Sequence, residues 1–197
     1  MLESLTSAIH DHSLSPQDRF NIQSDVYALA RASYLGYVDY LKLLRYAYKH
    51  EENLTVWKSI LRQLTELSSI FDYAFLDTTK SLYQSYICDL LNPISNQLKW
   101  NSNRNENSQK TILRSLVLTH LGLHGDKKTA EEAMKRFRKY FIEKNRQNLI
   151  DPNIRTVIYL TVAKTGDQRT FNQLRSVIDF EMNIFSMNRF VFFSSFI

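Results

Sequence analysis

Residues 53–71 read NLTVWKSILRQLTELSSIF, and the fold class turns on this stretch. Trp57, Leu61, Leu64, Leu67 and Phe71 follow one another at steps of three or four, the spacing that lines up side chains on one face of an α-helix. Asn53 stands just ahead as an N-cap residue, whose side chain accepts from the first free backbone N–H groups. The stripe reads as a core-facing surface and not as a cofactor pocket.

The same grammar extends in both directions. Upstream, Ser15-Pro-Gln-Asp18 opens a helix: Ser15 caps, Pro16 suits the first helical position, and Asp18 favours the positive end of the dipole. Its apolar residues are Phe20, Val26, Leu29 and Ala30, and Gly36 reads as the left-handed residue that ends it. A second helix is expected over 38–50, with Leu41, Leu44 and Tyr48 on one face. Downstream, a fourth carries Leu76, Tyr83, Ile87, Leu90 and Leu91 up to Pro93, where it is expected to stop or bend.

The polar run 100–108 is the clearest loop. A helix over 111–124 follows, with Leu113, Leu116, Val117 and Leu121 along its apolar side. Thr129-Ala-Glu-Glu132 reads as a capping box for a sixth helix. Asp151-Pro152 opens a seventh that ends near Gly166, and 170–178 begins an eighth. Residues 156–162 are β-branched enough to pass for a strand, but the Asp-Pro start and the Gly166 stop lie a helix-length apart and favour helix. The expectation is an all-α chain of about eight helices, in antiparallel pairs stacked as a HEAT/armadillo-like curved α-solenoid. No strict internal period is visible.

Composition agrees. Among 197 residues, 44% are hydrophobic, which excludes a disordered tail, and only 4 Gly and 3 Pro occur, which favours long helices over turn-rich sheets. Cys88 stands alone, so an intrachain disulfide is excluded and a reducing compartment is the simpler reading. The formal charge of +5 is mild. Its densest source, Lys135, Arg136, Arg138, Lys139, Lys144 and Arg146, interleaves with Ala133, Phe137 and Phe141 as in an amphipathic helix with a solvated basic face. The competing reading is a phosphate-binding stripe. On balance no nucleic-acid partner is expected.

The first residues show neither a basic n-region nor an apolar core, so no signal peptide is expected. The last stretch, FEMNIFSMNRFVFFSSFI (180–197), is aromatic but interrupted by Glu181, Asn183, Asn188 and Arg189, short of the about 20 apolar residues of a membrane span. No membrane partner is expected; the stretch reads as a poorly packed terminal helix, a strand-like sticky end or a fragment of a longer helix, and self-association through it is one open outcome.

Motifs that carry chemistry are few. His50-Glu51 begins like H-E-x-x-H, in which two histidines one turn apart hold zinc while the glutamate activates water, but the fifth position is Leu54. His120 and His124 have the one-turn spacing without a Glu between them or a third ligand nearby, so they read as partly exposed helix histidines. His10-Asp-His12 reads as solvated and Cys88 as a buried inert thiol. Glu51-Glu52 and Glu131-Glu132 fall near helix starts, where the dipole accounts for them. No catalytic or metal residue is assigned.

Several words nevertheless occur in a familiar order. Leu14-Ser-Pro-Gln-Asp-Arg19 followed by Asp25 and Ala28-Leu-Ala30 resembles the opening of the helical C-terminal domain of M1-family zinc aminopeptidases. Tyr48-Lys-His-Glu51 with Val56-Trp57 is similar to that domain's E…V-W signature. Asn92-Pro-Ile94 with Leu98-Lys-Trp100 resembles its P…L-G-W element, with Lys99 where glycine is usual. Leu113-Arg-Ser-Leu-Val-Leu118, Gly125-Asp126, Ala130-Glu-Glu-Ala133 and Arg136-Phe137 follow in family order. Ile150-Asp-Pro-Asn-Ile-Arg-Thr-Val-Ile-Tyr-Leu-Thr-Val162, then Gly166-Asp167, looks like the puromycin-sensitive, cytosolic branch.

The resemblance implies a partial domain over 1–178, with 179–197 an atypical tail, and a cytoplasmic location. Secreted relatives tend to carry a disulfide where His120 to Ala133 stand here without cysteine. It also implies a helical bowl that closes over an active site and limits peptide access, so that peptides are the partners once a catalytic domain is joined. The family's G-A-M-E-N loop and H-E-x-x-H zinc helix are missing from this sequence. Zinc therefore belongs to an upstream domain, no cofactor is expected in this chain, and a fragment or truncated relative, inactive alone, is the expectation. For a peptide carboxylate, Arg45, Lys49 and Arg114 are the available cations, with no assignment among them. The alternative is a free-standing helical-repeat scaffold for a protein or RNA, which would need a polar capping helix where Phe190 to Ile197 stand.

Overall fold

A computed structural model describes residues 2–73, 77–103, 105–142 and 150–179. Among them are nine helices and no strand: α1 (Leu2–His10), α2 (Pro16–Arg31), α3 (Tyr37–Ala47), α4 (Leu54–Tyr73), α5 (Asp77–Leu98), α6 (Ser108–Leu123), α7 (Lys127–Ile142), α8 (Pro152–Thr165) and α9 (168–179). They form two compact units, residues 1–126 and 127–197. The all-α expectation holds. The helix beyond the expected eight is α1, and the aromatic stretch 180–197 lies outside the described residues.

In the first unit the quoted stripe is the core of α4. Trp57, Leu61, Leu64 and Leu67 are buried, together with Val56 and Ile60; the Phe71 side chain lies outside the described residues. Each such burial is worth about 1.5–3 kcal/mol. Helix α4 packs against α2, α5 and α6, while α3 packs against α1 and α2. The caps follow the sequence: Ser15 accepts from the Asp18 N–H at 3.2 Å, and Asn53 Oδ1 from the Thr55 N–H at 2.9 Å.

Several expectations are corrected. Gly36 does not end α2 but precedes α3 as its N-cap; α2 ends at Arg31, and Ser33 takes the left-handed conformation (φ 62°) in its place. The Tyr34 N–H then donates to the Leu29 carbonyl at 2.9 Å, a Schellman closure. Leu29 is 44% exposed, while Arg19 and Gln23 occupy buried positions on α2. Pro93 does not stop α5, which runs on to Leu98 because that extra turn buries Ile94 and Leu98. The carbonyl deprived of its bond belongs to exposed Asp89, where water can serve it. Helix α6 starts at Ser108, three residues earlier than expected, because Asn107 caps it by accepting from the Gln109 N–H at 2.9 Å.

Lys99 has φ 55° and its N–H donates to the Ser95 carbonyl at 2.9 Å, so it is the left-handed residue closing α5. A side chain there costs roughly 1–2 kcal/mol, which glycine avoids. Lys99→Gly is therefore expected to stabilise the chain by about 0.5–1 kcal/mol after the extra freedom of the unfolded glycine is counted, seen as a higher urea midpoint at unchanged slope.

In the second unit α7 packs on α8, burying Ala133, Phe137 and Tyr140 with Ile154, Val157, Ile158 and Val162. The segment 156–162 is helical, capped by Asp151, which accepts from the Asn153 N–H at 2.9 Å. Thr129 is not a cap: α7 begins at Lys127, two residues after the left-handed Gly125 (φ 83°), leaving Thr129 buried in the first turn. Gly166 ends α8 by close approach rather than by a positive φ, since a Cβ there would sit 2.7 Å from the Val162 carbonyl oxygen. Asp167 then accepts from the Thr170 N–H at 2.8 Å and caps α9.

Candidate functional site

Two buried polar clusters and one cleft, all in the first unit, hold the side chains that could carry function. The first cluster centres on Glu51, for which the helix dipole alone is an insufficient account: it is 2% exposed and paired. Arg19 clamps it with two parallel bonds, Nε to Oε2 at 2.7 Å and Nη2 to Oε1 at 3.0 Å. Oε1 also accepts from the Glu52 and Asn53 N–H groups at 2.9 and 2.8 Å. Trp57 Nε1 donates to the Glu51 carbonyl at 2.8 Å and the Tyr48 hydroxyl to the Arg19 carbonyl at 2.6 Å. Burial alone would raise the Glu51 pKa, but Arg19 and the two amides outweigh it and hold it below the usual carboxylate value. This is a structural lock joining α2 to the turn before α4.

Arg114 forms the second cluster. It is 1% exposed; its Nε lies 3.0 Å from the Leu98 carbonyl oxygen and 2.9 Å from that of Lys99, and Nη2 donates to Glu106 at 2.5 Å. That hydrogen bond lowers the Glu106 pKa. Buried, paired with Glu106 and bonded to the end of α5, Arg114 drops out as a cation for a ligand.

Arg45 and Lys49, by contrast, come together. They line a cleft of about 730 Å³ with His10 and His50, whose rings meet edge to face at 4.8 Å. The facing wall is the α5 surface bearing Tyr86, Asp89, Asn92 and Asn96. Tyr86 spans the unit by donating to the Leu41 carbonyl at 2.7 Å. Arg45 and Lys49 hold no ion pair among the described residues.

The other candidates are placed as follows. The His120 and His124 rings stack at 5.9 Å, and His124 Nδ1 donates to the His120 carbonyl at 2.7 Å. Burial, with a smaller push from His124, brings the His120 pKa down to about 4, so the ring is neutral at pH 7. No three His, Cys, Asp or Glu side chains converge as a metal site among the described residues. Cys88 is half-buried, not fully buried as expected, with its Sγ 3.6 Å from the His124 carbonyl oxygen. On α7, Lys135, Arg138 and Lys139 are exposed and Glu132 pairs with Arg136 at 2.7 Å, as a solvated basic face requires; Lys144 and Arg146 lie outside the described residues. Among the described residues no helix is long and apolar enough to cross a membrane.

Packed helices tied by buried arginine clamps define an all-α class of chain. The profile of the ERAP1-like C-terminal domain matches residues 1–182, and the chain belongs to that family. Aminopeptidase M1-A and Aminopeptidase M1-B of Oryza sativa subsp. japonica are 29% and 30% identical to it over 163 and 164 residues, in each case 82% of this chain and 18% of the relative. Glutamyl aminopeptidase of Homo sapiens is 28% identical over 170 residues, 85% of this chain and 16% of the relative. The resemblance to M1 aminopeptidases is thus borne out. The chain spans under a fifth of the length of these relatives.

Proposed function

We propose that this chain is the wall-forming helical domain of an M1 aminopeptidase: it limits and shapes peptide access to a zinc site carried by other polypeptide, and does no peptide-bond chemistry alone. The observation that carries this reading is the family match over 1–182 alongside relatives that are aminopeptidases several times its length. The buried clusters support it. Glu51 and Arg114, which in another setting are acid, base or anion clamp, are consumed in holding helices together. Zinc would be held by the remainder of the enzyme. Curved stacking of the helix pairs would give the domain its concave, peptide-facing side. The cytosolic, puromycin-sensitive branch is the more specific assignment, supported by the lone Cys88 and the cysteine-free stretch from His120 to Ala133.

The test compares two proteins. The chain alone should release no nitroaniline from aminoacyl anilides. Rice Aminopeptidase M1-A with its matching segment exchanged for this chain should hydrolyse them, and should trim a series of peptides at rates that depend on peptide length. Chelator-sensitive turnover by the isolated chain would overturn the proposal. So would an exchange whose length dependence equals that of the enzyme lacking the segment.

A further inference from the structure

From the cleft between α3 and α5 we infer a binding site for a small, hydroxyl-bearing phosphomonoester, a reading independent of the aminopeptidase assignment. One wall is cationic. Arg45 lies in the last turn of α3 and Lys49 just beyond it, both exposed, and His10 from the end of α1 and His50 complete the wall. No carboxylate among the described residues neutralises either cation. The clamps at Glu51 and Glu106 show how this fold treats an arginine whose duty is structural: it is buried and paired. Arg45 and Lys49 are neither.

The number of donors selects the anion. A carboxylate needs only one cationic side chain, as Glu51 has Arg19, with two backbone N–H groups completing its shell. Four nitrogen-bearing side chains on one wall exceed that need and match the three terminal oxygens and nearly double charge of a phosphomonoester. The facing wall fixes the rest of the ligand. Asp89 repels a second anion, so the phosphoryl group sits against Arg45 and Lys49. Asp89, Asn92 and Asn96 then offer acceptors and donors to hydroxyl groups. The volume, about 730 Å³, lies within the range of small-molecule sites.

Glucose 6-phosphate, glucuronate, glucose and inorganic phosphate are the probes, titrated calorimetrically into the full chain. Glucuronate carries a carboxylate on the same ring carbon and so separates the two anions directly. Glucose 6-phosphate is expected to bind about tenfold or more tightly than glucuronate or inorganic phosphate, with no heat from glucose. Arg45→Ala and Lys49→Ala, both surface changes, should each weaken it about tenfold, and Asp89→Asn should narrow its advantage over inorganic phosphate. Lys135→Ala, in the other unit, should leave it unchanged. The inference is overturned by equal or tighter binding of glucuronate, by inorganic phosphate matching glucose 6-phosphate, by no binding, or by binding indifferent to Arg45 and Lys49.

Discussion

Glu51→Ala is expected to lower the unfolding free energy by about 3–5 kcal/mol, because it strands the Arg19 guanidinium in the interior without its counter-charge. Arg19 is 5% exposed and Glu51 2%, so water cannot step in for the lost carboxylate. The Glu52 and Asn53 N–H groups lose their acceptor in the same stroke. Since a domain of this size holds about 5–15 kcal/mol in all, the variant should sit near the edge of folding, which urea titration followed by circular dichroism would measure. Glu51→Gln keeps the shape and loses the charge, and isolates the pH dependence. The folded Glu51 pKa lies below its ordinary 4.5, so its contribution is complete above that value and fades as pH falls through the lower folded value. The glutamine variant should therefore have a flatter acid limb than the parent below about pH 4.5. Identical acid limbs would show that the pair contributes no linkage.

What the sequence disclosed and what it hid divide along the range of the interactions. The α4 stripe and the caps at Ser15, Asn53 and Asp151 were legible because each is settled within a few residues. Helix α1 escaped because its short span offers no cap signal before Leu2 and runs straight into His10-Asp-His12. The buried role of Arg19 leaves no local mark, because its partner lies 32 positions away. Gln23 is buried against Ser59, 36 positions away, for the same reason. The cleft was equally hidden. Arg45 and Lys49 were visible as cations, but the α5 wall that makes a site of them arrives only through tertiary packing. The structure also gives the quoted family words a physical sense. Leu14 to Arg19 closes on Tyr48 to Glu51, Glu51 closes on Trp57, and Arg114 closes on Leu98 and Lys99. These words record how the helices are fastened, which is why they identify a family without revealing an active site.

Trp57 is where that fastening meets the hydrophobic core, and Trp57→Ala is expected to cost about 3–5 kcal/mol. The ring is fully buried on α4, a helix on which Val56, Ile60 and Leu61 are buried too, and a close-packed core closes only partly over the space a large side chain leaves. Removing the indole also withdraws the Nε1 donor from the Glu51 carbonyl. Trp57→Phe retains most of the packing and loses only that bond, so it should cost less, on the order of 1–3 kcal/mol for an orphaned buried acceptor plus the smaller void. The indole holds the backbone of the very residue whose side chain clamps Arg19, so the two large effects are not independent. Once Trp57→Ala has loosened the turn at 51–53, Glu51→Ala has less geometry left to spoil. The double variant should accordingly fall short of the summed single losses by about 0.5–3 kcal/mol. Strict additivity in that cycle would mean that the clamp and the core are separate devices, and that the Trp57 hydrogen bond does not position Glu51.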